Sequence, residues 1–157
     1  MEAKPIQISP TTPPVKSSAF LMQVMEQGGL EDLYDARDVI EVVFRTVRDL
    51  MTTETAQRVA AEIESDAEAG DSQQIAALWR DTNPVVSVLS RLRPPLKFED
   101  DTFLFRIAQE SGLSKQVMPA DVVKAVFQAL KPRLSAALVQ EVSLVLPGQI
   151  RRLWQSA

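Results

Sequence analysis

The chain repeats itself, and that repeat constrains its fold more than any other feature. Displaced by 83 residues, Phe103–Leu146 superimposes on Phe20–Ile63 without a gap. Phe20-Leu21 falls on Phe103-Leu104, Val24 on Ile107, Gly29-Leu30 on Gly112-Leu113 and Asp38-Val39 on Asp121-Val122. Val43-Phe44 falls on Val126-Phe127, Gln57 on Gln140 and Val59 on Val142. The matches keep helical phase through three successive segments, turn glycines included. Past Ile63 the register changes, and Gln73–Trp79 resembles Gly148–Trp154 at a displacement of 75. The first copy therefore carries extra residues within Glu64–Ser72.

Each copy reads as a series of helices. Phe20, Leu21, Val24 and Met25 form a helical stripe capped by Ser17 or Ser18 and stopped at Gly28-Gly29. Asp100 or Asp101 caps the second stripe, which Gly112 stops. The longest pattern runs through Val39, Ile40, Val43, Phe44, Val47, Leu50 and Met51, with Asp35 as its expected cap and Asp38 in its first turn. Its counterpart opens at Pro119 and is cut short at Pro132. Third helices follow Thr52 and Ser135. The second of these, with Leu138, Val139, Val142, Leu144 and Val145, is apolar on more than one face, which suits central burial or a contact surface. Short fourth helices end in Trp79 and Trp154, each expected to close over its own unit. The expected fold is all-α: two tandem related repeats, each of about three long helices and a short one, in one bundle-like domain with pseudo-twofold symmetry. Residues 1–17 are a Pro-rich tail, 18–79 the first repeat, 80–100 a bridge with a short helix at Val85–Leu92, and 101–157 the second repeat.

Composition excludes much chemistry. The chain has no His and no Cys, which removes Ser-His-Asp and Cys-His catalysis, thiolate metal sites and the commonest transition-metal ligand. No glycine pattern cradles a phosphate. No run approaches the roughly 18 apolar residues of a membrane span, and the Pro-rich N-terminus lacks the apolar core of a secretory signal, so cytoplasmic residence is the default. The acidic run Glu62, Glu64, Asp66, Glu68 and Asp71 lacks the EF-hand pattern and reads as a solvated loop. No cofactor or metal is expected, nor an enzyme.

The tandem F-L-x-x-[VI] helices leading into D-V-[IV]-x-x-V-F helices, with Leu146-Pro147-x-x-Ile-x-x-Leu-Trp closing the second unit, resemble the bacterial family called domain of unknown function 2267. The resemblance spans about residues 18–155. It implies an all-helical protein of two related units and brings no site residues with it. The Glu64–Ser72 insertion and the Glu64-Ser65 pair in place of Leu-Pro depart from the second unit's pattern.

The net charge of −4 conceals a polarity. Ser18–Trp79 holds 13 acidic and four basic residues, and Arg80–Ala157 seven acidic and 11 basic. Such asymmetry bears on partners rather than on fold. The expected function is a soluble interaction or scaffold module that binds a protein or itself. Its candidate surface is the basic second half, Arg91, Arg93, Lys97, Lys131, Arg133, Arg151 and Arg152, with Leu138, Leu144 and Val145 of the third helix. Nucleic acid is disfavoured by the pI near 4.9. The alternative is a carrier or sensor of a small apolar ligand in the helical core, lined by Phe44, Phe127, Met22, Met25 and Met118.

Overall fold

Side-chain caps set where the helices begin. The computed structural model describes residues 16–66, 69–80 and 94–157; the Pro-rich tail to Val15 and the short helix expected at Val85–Leu92 lie outside them. In α1 (Ala19–Gly28) the Ser18 hydroxyl accepts from the Leu21 N–H at 3.0 Å, and Gly29 turns the chain with φ +70°. The second helix, α2 (Leu33–Asp49), starts a turn earlier than expected. Asp32, not Asp35, is its cap, and accepts from the Asp35 N–H at 2.8 Å. Asp38 consequently lies beyond the first turn. Thr52 caps α3 (Thr53–Ser65), and α4 (Ser72–Trp79) completes the first half.

The second half departs from the expected caps for a tertiary reason. In α5 (Asp100–Glu110) the cap position belongs to Glu99, which makes no side-chain cap bond. The Asp100 carboxylate instead accepts from the Gln149 N–H at 2.9 Å. It thereby caps α8 (Gly148–Ser156), whose own cap residue Pro147 has no polar side chain to offer. Pro119 opens α6 (Pro119–Leu130), which ends at Pro132 as expected, in a 3-10 turn over Lys131–Arg133. Ser135 caps α7 (Ala136–Val145). Among the described residues all regular structure is helical, in eight α-helices.

The long helices α2 and α6 carry the core. The first buries Val39, Ile40, Val43, Phe44 and Val47, and the second Val122, Val123, Val126, Phe127 and Leu130, within one continuous cluster. Each such side chain contributes roughly 1.5–3 kcal/mol when fully buried. The pairing of the first helices is less expected. α1 packs more extensively on α6 than on its neighbour α2, and α5 packs on both α2 and α6. Gly28 permits the approach of α1, since a Cβ there would stand 3.3 Å from Val122 Cγ1.

Both tryptophans are buried, and each packs over its own half. The Trp79 indole N–H donates to the Ala56 carbonyl at 2.8 Å, and its ring meets Phe44 edge-on at 5.2 Å. The Trp154 indole donates to the Val139 carbonyl at 3.0 Å and meets Phe127 edge-on at 5.0 Å. Each thus ties a fourth helix to the third and second helices of its own half. Helix α7 is not central. It buries Leu138 and Val142, half-buries Val139 and Val145, and leaves Leu144 63% exposed.

Either tryptophan changed to Phe loses the indole hydrogen bond that ties the fourth helix to the third, and part of the buried ring with it. Each of Trp79→Phe and Trp154→Phe should cost about 1–2 kcal/mol in urea denaturation. A wild-type midpoint in either variant would show that the indole bond contributes nothing.

Candidate functional site

The cations of the second half do not form one open face. Lys131 Nζ donates to the carbonyls of Trp154 and Ala157, at 2.7 and 3.0 Å, over the end of α8. Arg151 donates through Nε to the Ser143 carbonyl at 2.8 Å and through Nη2 to that of Leu144 at 3.0 Å, closing the end of α7. Lys97 and Arg152 are exposed; Arg91 and Arg93 lie outside the described residues. Of the three apolar candidates, Leu138 is buried, Val145 half-buried and Leu144 exposed.

Arg133 has an internal anion. Its Nη1 and Nη2 reach the Asp71 carboxylate at 2.6 and 3.3 Å, and its guanidinium lies 5.0 Å from the centre of the Phe20 ring. Asp71 also accepts from the Phe20 N–H at 3.3 Å, and thereby joins the first turn of α1 to the start of α4. This corrects the expectation of a solvated acidic loop: the last carboxylate of that run is buried and paired across the two halves. It comes from the Glu64–Ser72 stretch that the sequence pattern sets apart as an insertion. Burial opposes ionisation of Asp71, but the hydrogen bond from Arg133, the Phe20 N–H and the guanidinium charge together hold its carboxyl below the ordinary 3.8. Other pairs also cross the halves: Arg58 with Glu141, Arg45 with Glu110 and Arg106 with Asp49.

At the turn between α1 and α2 the charge is of one sign. Burial, then the neighbouring Asp32, Glu31 and Asp38, raise the Asp35 carboxyl above its ordinary value. Among the described residues no three acidic side chains converge as a metal site. The proposed lining of an apolar core chamber is dispersed as well. Phe44 and Phe127 are packed against the tryptophans, while Met22 and Met118 are 43% and 61% exposed.

What the tertiary structure does bring together is an open groove of about 350 Å³ at the end of α7. Leu144–Pro147 forms one wall and Pro95–Phe98 the other, with Leu50 from the end of α2 and the cations Lys97 and Arg151. The second wall is fixed in place. The Leu96 N–H donates to the Asp49 carbonyl at 2.7 Å, and Arg106 lies 5.3 Å from the Phe98 ring while binding Asp49 at 2.9 Å and Glu110 at 3.1 Å. Lys97, Leu144, Val145 and Arg151 were legible as candidates. Leu50, Leu96 and Phe98 were not, although the Leu-Lys-Phe run after Pro94-Pro95 carried the signal of a half-buried extended stretch.

The sequence matches, over residues 17–153, the family described as an uncharacterized conserved protein, DUF2267, and the chain belongs to that family. No curated protein matches it. No described helix is long and apolar enough to cross a membrane.

Asp71→Asn leaves the Arg133 guanidinium buried without its anion and should cost about 3 kcal/mol. Because the folded-state carboxyl is held below 3.8, its contribution is complete above that value and is lost as pH falls through the lowered one. Urea titrations across that acid range should therefore show the wild-type advantage over Asp71→Asn shrinking. An advantage that stays constant down to about pH 2 would overturn this account.

Proposed function

We propose that this member of the DUF2267 family is a non-enzymatic helical module that binds other proteins in the cytoplasm, built from two internal repeats related by a pseudo-twofold axis. Several contacts support the repeat. Ala56 and Val139, which receive the two indole bonds, are 83 residues apart, as are Phe44 and Phe127. The ion pair Arg58–Glu141 joins two equivalent positions to each other, as expected of side chains facing across an axis. The contacts of α1 with α6 and of α5 with α2 are likewise equivalent.

The observation that carries the binding function is the groove beside Leu144. Leu144, a large aliphatic side chain 63% exposed, lines an open groove together with Val145, Phe98 and the cations Lys97 and Arg151, which supports a partner's covering it. Lys131, Arg133 and Arg151 have intramolecular partners. This shifts the expected contact surface from the basic half as a whole to Leu144, Val145, Lys97 and the free edge of Arg151.

A photo-crosslinking residue at position 144 of the full chain, in its native cells, should capture a defined protein. Leu144→Ser should lose the same protein when the crosslinker is moved to position 140. If probes at 144, at 105 and at 118 all return nothing above the background of irradiated controls, the binding function is wrong.

A further inference from the structure

We infer that the groove takes an extended acidic peptide segment of a partner protein, paired through its main chain to Lys97. This rests on the binding function proposed above and adds the chemistry of the partner.

Three observations point the same way. The first concerns backbone. Pro94–Glu99 runs without helix, turn or bend and ends in Glu99, whose backbone is extended (φ −80°, ψ 169°), with only the Leu96 N–H engaged near the groove, on the Asp49 carbonyl. Successive residues of such a stretch turn their N–H and C=O to opposite edges, so Lys97 faces away from the edge that Leu96 holds against Asp49, and among the described residues the Lys97 N–H and carbonyl have no protein partner. A short extended stretch with unpaired donors and acceptors is a template for strand addition. Pro94-Pro95 at its start and α5 at its end leave room for two or three added residues.

The second observation is side-chain complementarity. Residues of an added strand alternate between facing the groove and facing solvent. Those facing in meet Phe98, Leu144 and Val145, so they must be apolar. The third is charge. Among the described residues the charged side chains lining the groove are those of Lys97 and Arg151, with no carboxylate among them. Arg151 commits Nε and Nη2 to α7 carbonyls, which leaves Nη1 without a bond and held in position. A guanidinium fixed at two donors recognises a carboxylate at lower entropic cost than a free side chain. A segment alternating acidic and apolar residues satisfies all three demands, with its carboxylates toward Lys97 and Arg151. An enclosed cavity would suit a small amphiphile instead; this groove is open, with Leu144 standing at its mouth.

The test uses the full chain and two fluorescent pentapeptides, one alternating glutamate and leucine, the other lysine and leucine. Anisotropy should show saturable binding of the first, weakening with added salt, and none of the second. Lys97→Glu and Leu144→Ser, both at exposed positions and checked for an unchanged thermal midpoint, should each weaken binding by about tenfold. Methylating the peptide's backbone amides should abolish it. Equal binding of both peptides, indifference to either variant or to amide methylation, or full displacement by laurate at the same concentration would overturn the inference. If position 144 captures a protein in cells while the acidic peptide fails, only the partner's chemistry is wrong. Peptide binding without any captured protein would instead discard the cellular role and leave the groove's chemistry intact.

Discussion

The structure depends on where its first helices go. α1 is joined to α2 by only the four residues Gly29–Asp32, yet it packs chiefly against α6 of the other half, and α5 packs against α2. Phe20, Leu21 and Val24 on one side, and Phe103 and Ile107 on the other, are therefore buried at a shared boundary. Neither half can remove its own apolar stripe from water without the other. The core is continuous for that reason, and the helices that would cap two separate domains instead join them.

Electrostatics follows the same division. One half has an acidic surplus and the other a basic surplus, a polarity that would suit external partners. Part of that charge is neutralised between the halves. Asp71 takes Arg133, Asp49 takes Arg106, and in the reverse direction Arg58 takes Glu141 and Arg45 takes Glu110. The exposed pairs contribute at most about 1 kcal/mol each. Asp71–Arg133 differs because both groups are nearly inaccessible to water. Its value lies in register: a buried charge with a single good partner penalises every docking of the halves that separates the two.

The candidate groove is a by-product of the same packing. Asp49 stands where α2 ends and Arg106 projects from the α5 that packs on it, so their contact fixes the chain as it comes into α5. The Leu96 N–H reaching the Asp49 carbonyl and Phe98 beneath Arg106 hold that stretch in place. Opposite it, Arg151 closes the end of α7 and presents Leu144 outward. A rigid wall, an exposed aliphatic residue and two cations thus meet without any one helix providing them.

Much of the secondary structure was legible, because its causes are local. Ser18, Thr52 and Ser135 cap the helices they precede, Gly29 and Gly112 turn the chain with positive φ, and Pro119 opens α6. The periodic stripe from Val39 to Val47 could bury itself only as a helix face. The family and the all-helical class followed from these patterns. Where local cues failed, a distant group had intervened: Asp100 left its own helix to cap α8, and Asp71 left the solvent for Arg133. The groove escaped for the same reason, since Leu50, Leu96 and Leu146 are far apart in the chain. The sequence by itself determined which segments are helical and which faces are apolar, through capping and periodicity that act within a few residues. Only the tertiary structure decided which apolar face met which, and hence which charges were neutralised and which stretch of backbone was left unpaired.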